Sequence, residues 1–387
     1  MESEEDILYL DREQSRIKHA ILDKYLQRFA IIVGKHKKGI IYVDGFSGPW
    51  NTISSDFADS SFAIALKQLR NAKETVRQNF QGKDLAIQCL FLEKDPVAFA
   101  HLDTFARAQT DVSVLAVNKK FEEVVPDLVK LIKSMKADHF PFILIDPKGW
   151  KGFAMNVIKP LIEIQPCEVL VNFMTGHIQR FIEDEREGLR DSFRRLFGDD
   201  SFETRIEGLS GREKEDAIVE TYADRIAAVG KYPFVSIALV LQPKRDRTHY
   251  HLVYATRNLR GIEVFKDAEK KALKLSETVR SDAKRRARET ATGQPELFGG
   301  SDLPETAYLA ELQVHFEAKA EKALERLRLK DAEIDYDDLY AAALRFPTVQ
   351  EAFLKQWIKG RADLLNLGEK TSPQILKRHR VRFLQSR

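Results

Sequence analysis

The residues with the clearest potential for chemistry follow short apolar runs of the sequence. The first group is Asp-Gly-Phe-Ser-Gly at 44–48, at the end of the run Gly39 to Asp44. Glycine lacks a Cβ, so the chain can turn tightly there and bring backbone groups close to a ligand. A carboxylate followed by two glycines at such a turn indicates a ligand-binding loop.

Four further groups follow later apolar runs. Glu93 ends the second run, where a carboxylate can accept hydrogen bonds from both hydroxyls of a ribose. Asn118 follows the third run and can place a polar group beside an adenine, with Phe121 against the face of the ring. The last two groups are Asp-Pro-Lys-Gly-Trp at 146–150 and Asn-Phe at 172–173.

The apolar runs predict the elements that must position these groups. Short runs that end in polar residues are typical of buried parallel strands, and segments with helical spacing separate them. The predicted strands are 39–44, 89–93, 112–117, 140–146 and 168–173, and the predicted helices are 15–33, 60–71, 96–108, 121–136 and 156–165. Two further strands, 233–241 and 249–256, are expected as an antiparallel pair at the end of the sheet. This alternation predicts an α/β doubly wound sheet, in which ligands bind at the carboxyl ends of the strands.

Other kinds of site fit the residues less well. No glycine-rich loop ends in Gly-Lys-Ser/Thr, and the three-glycine dinucleotide pattern is missing from the first turn. Asp44, Glu93 and Asp146 have the residue types of a metal-dependent nuclease, but the required Glu-x-Lys spacing is absent. Ser47 lacks the spacing of a nucleophile elbow. His249 and His251 share one face of a strand, and with no third ligand evident we predict no metal site.

Charge is distributed unevenly along the chain. The 387 residues include 62 Lys plus Arg and 59 Asp plus Glu, a formal net charge of +3. Residues 1–260 contain 38 of each sign, and residues 261–387 contain 24 basic and 21 acidic residues. This balance excludes a uniformly basic protein but allows a local basic surface.

The remaining composition constrains the environment of the protein. No apolar run approaches the ~20 residues that cross a bilayer, so no membrane association is expected. The start of the sequence is acidic rather than basic and then apolar, which disfavours export. The two cysteines are too few for a disulfide framework. We therefore expect a cytoplasmic protein.

The last third of the chain differs in composition. Residues 263–304 are rich in Lys and Arg, include the basic cluster 284–288, and predict a linker that is partly helical or flexible. Residues 305–387 predict helices followed by a basic hairpin at 364–368 and 380–384, as in a winged helix. Residues 1–262 then form the sheet domain. The predicted nucleic-acid-binding residues of the hairpin are Lys377, Arg378, Arg380 and Arg382.

The order of these motifs resembles Rossmann-like S-adenosylmethionine-dependent methyltransferases, and more narrowly the three-Cys-motif partner (TcmP) family. The resemblance covers most of the chain. It rests on segments at 24–26, 42–49, 60–66, 91–96, 145–147, 149, 151–152, 169–174, 254–256, 261–264 and 293–298. The fold it implies is a methyltransferase-type Rossmann-like sheet with a winged-helix-like C-terminal region.

The resemblance also implies roles for the residues at the strand ends. S-adenosylmethionine is the implied cofactor, with its methionine end held by Asp44, Gly45, Phe46, Ser47 and Gly48 and its ribose by Glu93. Asp146 and Pro147 would hold a target amine, and Trp150 would stack on an extruded base.

Simple physical chemistry supports the expected role of the fourth group. An exocyclic base amine is a poor nucleophile because its lone pair is delocalised into the ring. A carboxylate and a carbonyl that accept its two hydrogens favour the tetrahedral, nucleophilic form. Asp146 and the carbonyl of Pro147 supply these acceptors, and alignment with the methyl donor would supply most of the remaining acceleration.

Two residues depart from the family pattern. Trp50 stands where a small residue is common, and an indole there could crowd the cofactor site. Lys148 stands where an aromatic residue often follows Asp-Pro; a lysine can pair with a phosphate but cannot stack. Two hypotheses therefore stand: a methyltransferase acting on nucleic acid, and a non-catalytic adaptor that docks a cysteine-motif protein of the radical or iron–sulfur type and binds nucleic acid.

Overall fold

The computed structural model describes residues 7–48, 52–54, 56–80, 82–293, 307–331, 333–359, 361 and 380–383. The helices are α1 (Glu13–Gly34), α2 (Ser61–Asn79), α3 (Pro96–Arg107), α4 (Phe121–Met135), α5 (Met155–Ile162), α6 (Thr175–Phe181), α7 (Glu187–Phe197), α8 (Ser201–Ile206), α9 (Gly211–Gly230), α10 (Leu259–Thr292), α11 (Ala307–Arg328), α12 (Tyr336–Leu344) and α13 (Glu351–Lys359). The strands are β1 (Gly39–Asp44), β2 (Ala86–Leu92), β3 (Ser113–Val117), β4 (His139–Ile145), β5 (Glu168–Phe173), β6 (Phe234–Leu241), β7 (Thr248–Thr256), β8 (Glu333–Asp335) and β9 (Arg380–Arg382). None of the helices in these ranges is sufficiently long and apolar to span a bilayer.

Seven strands form one mixed sheet in the order β3-β2-β1-β4-β5-β7-β6. Strands β1 to β5 are parallel, and β7 is antiparallel to both β5 and β6. The first five strands follow the doubly wound order, in which the chain reverses direction across the sheet between β1 and β4. The seven strands predicted from the sequence are therefore confirmed, with β1 and β5 at their predicted bounds.

Local sequence explains where several helices begin. The carboxylate of Asp95 accepts hydrogen bonds from the backbone N–H groups of Val97 and Ala98, and Pro96 occupies the first turn of α3. Ser60 caps α2 by accepting from the N–H of Ala63. These caps fix where the loops that follow β1 and β2 end. The polar residues in these loops are therefore held against the sheet.

Both faces of the sheet are covered by helices. One buried cluster joins one face to α1, α2 and α10 and continues through residues of α11, α12 and α13. The opposite face packs against α4, α5 and the helices from α6 to α9. Strands covered on both faces need no polar alternation, which is why β1 and β5 are buried along their whole length.

A buried polar network fastens α1 to the sheet. The hydroxyl of Tyr25 donates to the Glu168 carboxylate and lies 2.7 Å from the hydroxyl of Tyr254, and Thr256 Oγ1 donates to Glu168 Oε1 at 2.8 Å. Burial raises the pKa of Glu168, and the hydrogen bonds from Tyr25 and Thr256 oppose that rise. Because every group is buried, each depends on the others for its hydrogen bonds.

The region after β7 begins with one long helix. Residues 259–292, most of them inside the predicted linker, form the single helix α10, which packs along α1. In the basic cluster at its end, Lys284 pairs with Asp246, Arg285 with Asp282, and Arg286 with Glu13. The domain boundaries at 262 and 304 stay a prediction.

The winged-helix prediction is not confirmed by the described elements. Its first hairpin strand, residues 364–368, lies outside the described residues, as do Lys377 and Arg378. Its second strand is β9, which carries Arg380 and Arg382 and pairs with β8. Val381 and Phe383 are buried, so this strand contributes to the packed core.

We predict that Gly261→Ala destabilises the protein. A Cβ at Gly261 would lie 2.4 Å from the hydroxyl oxygen of Tyr254 and 2.9 Å from Thr256 Oγ1, so the buried network must shift. The free energy of unfolding in urea should fall by about 1–3 kcal/mol. Gly188→Ala is the matched control, because Gly188 also lies in the first turn of a helix with no neighbouring atom within 4 Å of its Cβ position. An equal loss in both variants would contradict the prediction.

Candidate functional site

A pocket of about 860 Å³ opens at the carboxyl ends of β1, β2, β4 and β5. It lies beside the reversal between β1 and β4, where open α/β sheets bind ligands. The loops after these strands form much of its wall, and the start of α1 and the first residues of β7 complete it. Of the groups predicted from the sequence, those after β1, β2, β4 and β5 each contribute wall residues, and Phe121 contributes from α4.

The β1 loop lies partly in the wall and partly behind it. Gly45, Phe46 and Gly48 line the pocket, whereas Asp44 and Ser47 are buried behind the wall. Asp44 accepts hydrogen bonds from the backbone N–H of Phe46 at 3.1 Å and from Ser61 Oγ at 2.8 Å. Ser61 is itself a wall residue, so the carboxylate reaches the pocket through that hydroxyl. Trp50 lies outside the described residues.

Burial sets the ionisation of Asp44. Its side chain has no solvent exposure, and burial together with the nearby Asp146 carboxylate raises its pKa to about 6. The hydrogen bonds from Ser61 and Phe46 favour the charged form and limit the rise. The Asp44 carboxyl group therefore gains or loses its proton close to neutral pH.

Gly45 permits an aromatic contact at the edge of the pocket. A Cβ on Gly45 would lie 2.7 Å from the ring of Phe121. The rings of Phe46 and Phe121 lie 5.4 Å apart, and both belong to the wall. A side chain at position 45 would push this pair apart, so packing requires the glycine.

Glu93 is held by the backbone around it. Only 5% of the residue is exposed, yet it lines the pocket, and its Oε1 accepts from the N–H of Asp95 at 2.7 Å. Asn118 Nδ2 donates to the backbone carbonyl of Glu93 at 2.8 Å. The structure thus places Asn118 as a support for the Glu93 loop, outside the set of wall residues.

The β4 loop contains a charged contact that the sequence motifs do not reveal. Lys18 of α1 forms an ion pair with Asp146, and Asn172 Nδ2 at the end of β5 donates to Asp146 Oδ1 at 2.6 Å. Pro147 and Lys148 also line the pocket. Partial desolvation lowers the pKa of Lys148, although the carboxylates of Glu93 and Asp146 oppose this shift.

Trp150 is fixed in an aromatic cluster. Its ring centroid lies 5.5 Å from that of Phe181 and 5.3 Å from that of Phe193, and its indole N–H donates to Ser192 Oγ at 3.1 Å. It is nevertheless a wall residue. Its predicted role in stacking on a base stays a prediction, and any such stacking must use the part of the ring left uncovered by this cluster.

The pocket wall is rich in cations. Among the described residues, the wall contains seven basic side chains, Arg12, Lys18, Lys94, Lys119, Lys120, Lys148 and Lys151, and four acidic ones, Asp59, Glu93, Glu122 and Asp146. His177 and His249 also line it, and burial lowers the pKa of His249. The wall is therefore more basic than the chain as a whole. His251, by contrast, is buried and lies 2.7 Å from the hydroxyl of Thr175.

The comparisons with known proteins give distant likenesses. No protein-family model matches the chain, and no curated protein matches it. Among solved structures, the Legionella pneumophila protein LPL1258 is 10% identical with a TM-score of 0.33, over 62% of this chain and 85% of that one. The O-methyltransferase from Bacillus cereus in complex with SAH is 12% identical with a TM-score of 0.30, over 60% and 80%. Loganic acid methyltransferase with SAH is 9% identical with a TM-score of 0.31, over 72% and 88%. Because these scores are below 0.5, the fold assignment rests on the strand order of this chain.

We predict that Asp44 makes the stability of the protein depend on pH. Its pKa of about 6 in the folded state exceeds the unfolded value of about 3.9. The folded state therefore binds more protons, and the contribution of this group is present below about pH 4 and is lost as the pH rises through 6. Between pH 4 and pH 7 the wild type should lose up to about 3 kcal/mol of free energy of unfolding through this group. The Asp44→Asn variant should not show this loss. Urea unfolding at several pH values measures this, and parallel pH profiles would contradict it.

Proposed function

We propose that this protein is an S-adenosylmethionine-dependent methyltransferase that acts on an exocyclic amine of a nucleic-acid base, and that it belongs to the TcmP family. The observation that supports the proposal most is the convergence of the β1 loop, Glu93 and Asp146 on one pocket at the reversal point of the sheet. The mixed seven-stranded sheet also agrees with the Rossmann-like sheet that the motifs imply.

The residues of the pocket fit the cofactor. Glu93 is a nearly buried carboxylate in the wall, suited to accept the hydrogens of a ribose diol. Gly45 and Gly48 allow close approach of a ligand to the backbone, and Phe46 and Phe121 supply flat apolar surface for an adenine. A volume of about 860 Å³ suits a ligand of this size, since small-molecule sites span roughly 300–1,000 Å³.

The residues after β4 would then hold the acceptor. The bound cofactor supplies a methyl group on a positively charged sulfur. Asp146 accepts one hydrogen of the target amine and the carbonyl of Pro147 accepts the other, which directs the nitrogen lone pair out of the plane of the base. Lys18 and Asn172 hold the carboxylate of Asp146 in one orientation. The contribution of the chain is thus mainly alignment of the two reactants.

The charge of the wall supports a polyanionic substrate. Seven basic side chains against four acidic ones would attract the phosphates of a nucleic acid. The C-terminal region is proposed as a winged-helix clamp. In the described part of this region, helices α11 to α13 are accompanied by β8 before α12 and by its partner β9, at residues 380–382. This order is compatible with such a clamp.

We predict that the protein binds S-adenosylmethionine and S-adenosylhomocysteine, and that Glu93→Gln weakens both by about tenfold, because a charged acceptor for the ribose hydroxyls is removed. Isothermal titration calorimetry measures both affinities. Glu122→Gln is the matched control, since it removes another wall carboxylate and should have little effect. If the wild type binds neither ligand at millimolar concentration, the methyltransferase proposal is wrong and the adaptor that docks a cysteine-motif protein becomes the better hypothesis.

We predict that affinity for a single-stranded oligonucleotide falls steeply with salt and that wall lysines account for part of the slope. Lys119→Ala with Lys120→Ala should reduce the slope of log affinity against log salt by roughly 0.7 unit for each phosphate that a lysine no longer neutralises. Lys377→Ala with Arg378→Ala tests the predicted nucleic-acid-binding residues of the C-terminal hairpin in the same way. Substitution is preferable to truncation there because Val381 and Phe383 are buried.

Fluorescence anisotropy over a range of salt concentrations supplies these slopes. Lys130→Ala, a substitution on exposed helix surface outside the pocket wall, is the control and should leave the slope unchanged. A salt-independent affinity in the wild type would exclude phosphate contacts from the binding.

A further inference from the structure

The ion pair between Lys18 and Asp146 gives the pocket wall a defined polarity. Both residues line the pocket, and their side chains are only 16% and 11% exposed. A lysine ammonium can only donate hydrogen bonds, and an ionised carboxylate can only accept them. A ligand that approaches this pair therefore meets a donor beside an acceptor, in a fixed order.

Asn172 fixes the acceptor side of the pair. Its Nδ2 donates to Asp146 at 2.6 Å, and the reverse amide orientation would set an oxygen against a carboxylate. Its Oδ1 is buried and accepts no hydrogen bond from the described residues, although the residue as a whole lines the pocket. The acceptor side thus contains two groups, Asp146 and Asn172 Oδ1.

Nucleic-acid bases differ in the order of donor and acceptor along one edge. Adenine and cytosine present an amine beside a ring nitrogen that accepts. Hypoxanthine and uracil, their deaminated counterparts, present a carbonyl oxygen beside a ring N–H, which is the opposite order. An asparagine amide reads adenine by offering one donor and one acceptor side by side. Lys18 and Asp146 together offer the same combination.

We propose that Lys18 and Asp146 together recognise the amine and adjacent ring nitrogen of adenine or cytosine, and that Lys18 contributes to this specificity by reading the ring nitrogen. Asp146 accepts a hydrogen of the amine, and Lys18 donates to the ring nitrogen. Asn172 keeps the carboxylate in place and adds an acceptor on the amine side. This inference rests on the proposed function, because it concerns the substrate of the same pocket. It assigns a role to a residue of α1 that belongs to none of the strand-end motifs.

Two pairs of nucleotides test the inference directly. AMP and IMP differ in this edge, and CMP and UMP differ in the same way, while each pair shares its phosphate and sugar. In the presence of S-adenosylhomocysteine, AMP or CMP should bind the full-length protein on the order of tenfold more tightly than its deaminated counterpart. Calorimetric or NMR titration of the four nucleotides measures the ratios.

Variants of Lys18 separate specificity from charge. Lys18→Met removes the donor to the ring nitrogen and should lower the ratio of AMP to IMP affinity, or of CMP to UMP affinity, several-fold, while Asp146 still favours the amine. Lys18→Arg retains a donor and should preserve most of that ratio. Lys151→Met is the control for charge. It removes one positive charge from the wall but leaves the ion pair between Lys18 and Asp146 intact. It should therefore weaken the binding of a nucleotide and of its deaminated counterpart alike. Thermal melting confirms that each variant is folded.

The outcomes distinguish this inference from the proposed function. If S-adenosylhomocysteine binds but each nucleotide and its deaminated counterpart bind equally or not at all, Lys18 does not read the base and the methyltransferase proposal stands. Failure of S-adenosylhomocysteine to bind overturns the proposed function, and the nucleotide ratios measured without it still decide the role of Lys18. A folded Lys18→Met variant that keeps the wild-type ratio overturns the inference.

Discussion

The attachment of helix α1 to the sheet is the constraint on which the site depends. Tyr25 joins this helix to Glu168 at the start of β5, and Lys18 joins it to Asp146 just after β4. The two residues are seven positions apart, so they lie on the same face of the helix, two turns or about 10 Å from each other. The buried network around Tyr25 therefore fixes the position of α1 along its axis, and with it the point at which Lys18 reaches the pocket. The same helix supplies further wall residues, Gln14, Ser15 and His19.

The pocket combines buried carboxylates with a basic wall. Asp44 is buried and keeps its charge-stabilising hydrogen bonds from Ser61 and Phe46, whereas Glu93 and Asp146 face the pocket. The lysines come from several loops and from α1, and their summed charge exceeds that of the acids. A net charge of +3 for the whole chain thus coexists with a locally positive cavity. Local charge, rather than the total, determines which ligands the pocket attracts.

The C-terminal third shows why runs of charge are hard to interpret from sequence. The cluster 284–288 is strongly basic along the chain, but Asp246, Asp282 and Glu13 neutralise three of its members in space. Two of these partners are distant in sequence. The helix that contains the cluster also carries a buried face against α1, with Val264, Phe265 and Ala268 in the common apolar cluster. The composition of this helix resembles that of a linker because most of its residues lie on the polar face.

The sequence alone determined the sheet and the set of candidate residues. Apolar runs of five to nine residues predict strands closely, since parallel strands are buried on both faces, and the polar residues after them must meet at one edge because parallel strands end together. The tertiary structure decided how those residues are used. It buried Asp44 and Ser47 behind the wall, made Asn118 a support for Glu93, and enclosed Trp150 among Phe181 and Phe193. It also paired Lys18 with Asp146 across 128 positions. Such contacts join residues far apart in the chain, and no local pattern of spacing or composition contains that information.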